Sequence, residues 1–512
     1  MNVFDILGPV MVGPSSSHTA GAVRIGNISR RLLGEKPVKA DILLHGSFAL
    51  RGAGHGSDKA IVAGLLGMDT DDMRIRKSME IAGKEGLDFK IRTINLKEAH
   101  PNSALLKLKG ERGRELEILA SSVGGGKINI EMIDGIETSF SGDHPAIVVH
   151  NEDRPGHVAD VTAALAHHGI NIATLNLYRD KRGGYAVMVV ETDQPIPENI
   201  VKWISRREGI IRVTDLNIQR SVSMSFGRVT ELLELSNEKN KEISEPVFED
   251  DYNERNVARK NSWDKMRVMW TAMKASSDNY DGKIKSHSGL SGGNGLKMRE
   301  YRDKCVSGSF MGEVMAEAIS VAESNACMKC IVAAPTAGSC GVLPAVLIPY
   351  VKKYNVDEDR IIKALYTSAG FGQIIAKRAF IAGAAGGCQA EIGTASAMAA
   401  AMLVYLEGGS GEQSADAMAF ALKSLLGLVC DPVAGLVEVP CVKRNVIGAV
   451  NAVTCADMAM AGIESVIPPD EVIDAMREVG LMMPGELKET SEGGLAATPT
   501  GRKIAEGLPG IE

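Results

Sequence analysis

The sequence predicts a multidomain protein: an α+β N-terminal domain over 1–142, a βαββαβ domain over 145–219, and a mostly all-α domain over 222–512. Three observations carry that reading. A chain of 512 residues, 45% hydrophobic and 24% charged, has the size and composition of several ordinary globular cores. Residues 145–219 alternate short apolar strands with helical segments in a regular order. Beyond 300 the chain becomes rich in Ala, Gly and Met and keeps its apolar residues at helical spacing.

Residues 1–142 mix strand-like and helical stretches around glycine clusters in LHGSFALRGAGHGSDKA and SSVGGG. In 145–219 the order is sharper. AIVVHNE is a short strand, DRPGHVADVTAALAHHG a turn and helix, INIATLNLYRD an alternating strand, KRGG a hairpin turn, and YAVMVVETD another strand. PENIVKWISRREG then forms a helix and IIRVTDLNI the last strand, completing a ferredoxin-like βαββαβ unit. With its NEDRPGHVADV segment this unit resembles an ACT domain, which implies pairing between copies, with or without an amino-acid ligand. From 222, GRVTELLELSNEKNKEISEPVFEDDYNERNVARKNSWDKMRVMWTAM is heavily charged but helically patterned, so helices rather than a linker are expected. Runs such as GTASAMAAAMLVYLEGG join strong helix formers to small side chains, which lets helices pack closely.

Charge and hydropathy narrow the partners. A net charge of −7 leaves no electrostatic footprint for nucleic acid. The longest uncharged runs, around 338–351 and 392–406, fall short of the roughly 18–20 residues of a membrane span and read as buried helices. The opening MNVFDILGPVMVGPSSSHTAG has no basic leader region and carries Asp5 in its apolar run, so it does not read as a signal peptide. A cytoplasmic protein is expected.

All eight cysteines lie within 305–455, whereas the last of the ten histidines is His287. In a reducing compartment such thiols are buried core residues or metal ligands rather than disulfides. Any imidazole needed beside them has to come from the first half of the chain. Cys388 sits in GAAGGCQAEIG; 41 residues separate it from Cys430 and ten separate Cys430 from Cys441, with Asp431-Pro432 turning the chain between the last two. Three thiolates from loops can hold an iron–sulfur cluster, usually anchored by four, and an open iron is what makes a metal site catalytic. The spacing alone matches no general metal motif and favours buried structural cysteines. Cys327 and Cys330, in NACMKC, are expected on a helix and read as core residues, as do Cys305, Cys340 and Cys455.

Longer motifs favour the metal. SGLSGGNGLKM, PTAGSCGVLPAVL, GAAGGCQAEIGTASAMAAAM, GLVCDPVAGLVEVPCVKRN and GGLAATPTGR together resemble the catalytic part of iron–sulfur-dependent L-serine dehydratases. GPSSSHTAGAVRIG and LHGSFALRGAGHGSDKA resemble the companion part, so two parts that are often separate subunits are fused here near 220–225. The resemblance implies a 4Fe-4S cluster on Cys388, Cys430 and Cys441 with one open iron, L-serine as substrate, a role in serine catabolism, and a homodimer formed through the ACT-like domain. Some single-chain relatives end in a cysteine that caps the open iron; this chain ends AEGLPGIE, so its fourth ligand is left open.

Elimination of water from serine needs a Lewis acid on the leaving hydroxyl and a base for the α-proton. His55, between glycines in GAGHGSDK, is the first candidate base, with His45 in reserve. The turn PSSSHT offers Ser15, Ser16, Ser17, His18 and Thr19 to the substrate carboxylate, and it also reads as a helix N-cap before AGAVRIGNISRRLL. In SGLSGGNG, residues Ser291, Gly292, Gly293 and Asn294 read as a backbone nest for a substrate anion. Two alternatives remain open here: a pyridoxal-phosphate dehydratase, with SGGNG as carboxylate loop and Lys297 or Lys377 as Schiff base, and a non-enzymatic amino-acid sensor.

Overall fold

The computed structural model describes the chain except for Met1, 50–55, Glu98, Gly125, 143–144, 217–224, 239–240, Asn256 and 509–512. It divides into two compact units, Ser17–Val222, and Met1–Ser16 together with Ser223–Glu512.

The first unit holds two sheets. Six strands run in the order Asp88–Ile94, Pro37–His45, Ser103–Gly110, Glu115–Gly124, Lys127–Ile133, Ile136–Phe140. Only the pair formed by Pro37–His45 and Asp88–Ile94 is parallel. The helix Gly21–Leu33 buries Val23, Ile25, Ile28, Leu32 and Leu33, and it ends where Gly34 turns left-handed at φ 71°. The second sheet, in the order Ile210–Asp215, Ala146–Glu152, Tyr185–Thr192, Ile172–Arg179, is antiparallel throughout. Helices His157–His167 and Glu198–Ser205 contribute Val161, Leu165, Ile200 and Ile204 to a core with Ile147, Val149, Met188 and Val190. Val148, His150, Val187 and Val189, which alternate with those strand residues, are fully buried as well. Burial on both faces explains why AIVV and AVMVV read as continuous apolar runs.

The second unit is helical, as the spacing predicts. Its centre is Thr394–Glu407, buried at every position from Thr394 to Leu406. Alanines at 395, 397 and 399–401 let Glu358–Arg378, Gly411–Ser424 and Cys441–Met460 approach it closely. Among the described residues no helix is long and apolar enough to cross a membrane. The N-terminal segment belongs to this unit. Asn2 caps the short helix Val3–Ile6 in a capping box with Asp5, and Val3, Ile6 and Leu7 enter the helical core. Val10–Val12 then pairs antiparallel with Cys330–Val332. That pairing corrects the reading of NACMKC as helix. The helix Ser309–Ala326 stops at Cys327, Met328 turns to φ 56°, and Cys330 opens a strand. Its partner lies more than 300 residues away, where local spacing carries no trace of it.

Candidate active site

Cys388, Cys430 and Cys441 are all buried, at 1%, 3% and 7% exposure. Each is placed by a loop with its own backbone ties. Cys388 follows Gly387, whose φ of 76° and closeness to Met483 and to the Leu428 carbonyl leave no room for a side chain. The residue after it, Gln389, donates its backbone N–H to the Leu428 carbonyl at 2.9 Å and accepts from Gly427 N–H at 2.8 Å. That pins the Cys388 turn to the segment leading into Cys430. Cys430 N–H donates to Leu487 at 2.8 Å, and its carbonyl accepts from Glu489 at 2.7 Å. The Asp431 carboxylate accepts from Leu495 N–H at 2.8 Å and pairs with Arg444 at 2.8 Å. Arg444 also donates to the Val429 carbonyl at 2.8 Å. The chain turns through Val433–Gly435, and Cys441 opens the helix Cys441–Met460.

The three thiols share one neighbourhood. Cys430 hydrogen-bonds Cys388, and that contact, with burial, holds its thiol well above the ordinary range. Burial, then the nearby Cys388, does the same for Cys441. Thiols in that state gain most from a cationic centre that takes them as thiolates. Around them stand charges that sequence reading missed. Glu391 sits in the π-helical turn Gln389–Gly393, which continues the Cys388 turn, and accepts a hydrogen bond from the Thr336 hydroxyl. Burial, and then the charge of Glu489, push its carboxyl up to about 7 against the pull of Thr336 and Arg444. Asn445 ties the neighbouring loop down, accepting from Gly341 N–H at 2.9 Å and donating to the Gly338 and Cys441 carbonyls. These residues lie inside quoted motifs, but nothing in their local spacing marks them. Among the described residues no three His, Cys, Asp or Glu side chains gather tightly enough around one point for a single metal ion.

The SGLSGGNG loop does form a nest, and its anion is the protein's own Glu323. The Glu323 carboxylate, fully buried, accepts from the N–H groups of Gly292, Asn294 and Gly295 at 2.9, 3.1 and 3.1 Å, from the Asn294 side chain at 2.8 Å, and from Tyr280 at 2.5 Å. The N–H groups of Gly292 and Asn294 and the Asn294 amide are thus engaged by Glu323, whereas the buried Ser291 hydroxyl has no hydrogen-bond partner among the described residues. Ser291 gives its N–H to Ser286, and Gly293, at φ 84°, shapes the turn. At the start of the loop, Ser288 and the preceding Ser286 donate to both oxygens of Glu438, at 2.8 and 2.6 Å, three residues before Cys441.

The histidine-bearing candidates fall as follows. The unit boundary runs between Ser16 and Ser17. In the helical unit, Ser15 is buried, and the preceding Pro14 carbonyl accepts from Asn325 at 3.1 Å. In the other unit, Ser17 is half-buried, while Thr19 and His18 are buried. His18 meets the Ser47 hydroxyl at 2.8 Å through Nε2 and the edge of Phe48 with ring centres 5.7 Å apart. Ser16–Ala20 is a π-helical turn, so the N-cap expected before Gly21 is replaced by a widened turn, a feature frequent at functional sites. His45 accepts from Leu96 N–H at 3.2 Å. His55 lies outside the described residues.

Comparison with known proteins gives this arrangement its context. The family model for the serine dehydratase alpha chain matches residues 238–496, that for the serine dehydratase beta chain residues 2–132, and that for the ACT domain residues 146–208. The probable L-serine dehydratase alpha chain of Bacillus subtilis strain 168 is 47% identical over 287 residues, covering 56% of this chain and 96% of that one. The probable beta chain of the same organism is 44% identical over 215 residues, covering 42% and 97%. The L-serine dehydratase of Streptomyces coelicolor is 31% identical over 520 residues, 97% of this chain and 98% of the relative. An ACT-bearing part and a thiol-lined helical part on one chain mark a two-component dehydratase whose components are fused. The chain belongs to the serine dehydratase family.

Proposed function

We propose that this chain converts L-serine to pyruvate and ammonia, with Cys388, Cys430 and Cys441 holding a 4Fe-4S cluster that leaves one iron open. The observation that carries the reading is the meeting of three buried thiols from two loops, in a chain of this family. The donor set fits the group. A single ion needs all its ligand atoms within about 2–2.5 Å of one centre, whereas a cluster takes each thiolate on a different iron and so tolerates wider spacing. When bound, the cluster supplies Lewis acidity to the leaving hydroxyl.

The chain's own residues do the rest. The turn Ser15, Ser16, Ser17 and Thr19 serves the substrate carboxylate, the side chain of Ser16 lying outside the described residues. The α-proton goes to a histidine of the first half, His55 first with His45 in reserve, while His18, whose ring meets Ser47, stands in the turn offered to the carboxylate. Aminoacrylate released by loss of water tautomerises to the imine, which water hydrolyses. The protein works in the cytoplasm as a homodimer assembled through its ACT domain.

Anaerobic purification with iron and sulfide counting, followed by an ammonia-release assay on L-serine, tests the proposal. Cys388→Ala, Cys430→Ala and Cys441→Ala each abolish the brown absorbance and the activity, while Cys327→Ala keeps both. Equal tolerance at all four positions overturns the ligand assignment.

A further inference from the structure

An amino acid bound for elimination has to be held by its ammonium group as well as its carboxylate, and in a desolvated site an ammonium needs a carboxylate partner. We propose that Glu391 binds the α-ammonium group of the substrate. The inference rests on the dehydratase reading and names a contact which that reading lacks.

Glycine backbone approaches this carboxylate closely. A methyl group built on Gly338 would fall 2.6 Å from Oε1 and 3.0 Å from Oε2 of Glu391. One built on Gly383 would fall 3.5 Å from Oε2 and only 2.9 Å from the Cys430 sulfur. Both glycines therefore bring backbone directly against the carboxylate, and Gly383 lies beside both the carboxylate and the Cys430 thiol with no side chain of its own between them. The side chain is not sealed off, being only half-buried. Thr336 fixes the carboxylate through Oε1, and among the described residues no ion pair is made to it. Arg444, the nearby positive charge, is spent on Asp431 at 2.8 Å and on the Val429 carbonyl. Glu489 adds a second negative charge to the surroundings. A carboxylate fixed in orientation beside a thiol, with its nearby Arg444 paired elsewhere, suits a small cation with three N–H donors. The widened π turn Gln389–Gly393 sets Glu391 three positions after Cys388, so the ammonium contact is tied to the same turn as one sulfur.

The test uses the full chain, loaded anaerobically. L-alanine, which lacks the leaving hydroxyl, and propionate, which lacks the amine as well, are titrated calorimetrically into wild type, Glu391→Gln and Gly338→Ala. Gly338→Ala crowds the carboxylate without altering it, and it carries the test should Glu391→Gln fail to fold. Both variants are expected to keep wild-type cluster absorbance and to bind L-alanine at least about tenfold more weakly, with propionate unchanged. The KM for L-serine rises by a similar factor, with kcat falling less. Unchanged L-alanine affinity in both variants overturns the proposal. So does a collapse of kcat at constant KM, which would make Glu391 a proton carrier, or loss of cluster absorbance in Glu391→Gln, which would make it a ligand. A wild-type chain that releases no ammonia from L-serine sinks the dehydratase reading; a wild-type chain that does, with variants binding L-alanine as tightly, sinks the ammonium role alone.

Discussion

Glu323 shows what one buried charge can organise. Burying a carboxylate is costly unless hydrogen bonds replace its water, and here three backbone N–H groups, an amide and a phenol do so. Burial raises its pKa, but Tyr280, Gly295, Asn294 and Gly292 outweigh that and hold it below the ordinary 4.5. The folded protein therefore binds this proton less readily than the unfolded chain. The stabilisation is present above pH 4.5 and fades as pH falls below it. Glu323→Ala strands several buried donors at once and should lower stability by on the order of 3 kcal/mol in urea titrations at neutral pH. It should also flatten the loss of stability seen on acidification below about pH 4.5.

At the level of elements, the ACT sheet carries a buried titratable group on the face away from its two helices. His150 faces Tyr185 through Nδ1 and Arg212 through Nε2, the latter at 2.6 Å. Burial, then the charges of Arg212 and Arg114, push its pKa down to about 3. A histidine that resists protonation when folded contributes stability fully above its ordinary 6.5, and loses it as pH falls from there toward 3. Denaturant titrations followed through Trp203, on the helix Glu198–Ser205 of the same unit, should show lower stability at pH 5 than at pH 7. His150→Gln should reduce that difference; an unchanged slope would place the acid sensitivity elsewhere. The strands and helices of this domain were legible in the sequence, because alternation and turn residues are local signals. The partner of His150 was not, since Arg212 lies on a neighbouring strand 62 residues away.

Across the whole molecule, chain order and packing order differ. Residues 2–132 match the beta-chain model, yet the first sixteen residues pack with the helical unit that the alpha-chain model covers. Val3, Ile6 and Leu7 are fully buried there. Ile6→Ala should therefore destabilise the helical unit by about 2–5 kcal/mol, read through the fluorescence of Trp263 and Trp270, with little effect on a Trp203 signal. An equal loss in both signals would show that the two units unfold together.

The fold class, the βαββαβ order, the buried alanine-rich helices and the family all follow from the amino-acid sequence, because period, composition and long contiguous motifs act over short stretches of chain. Other features needed the folded coordinates: that Glu323 fills the glycine nest, that Glu438 steadies the approach to Cys441, that an N-terminal strand ends a helix near Cys327, and that Glu391 stands beside the thiols. Each is a contact between residues far apart in sequence. Which distant group satisfies a buried polar atom is settled by packing, where the alternative is an unpaired donor or charge.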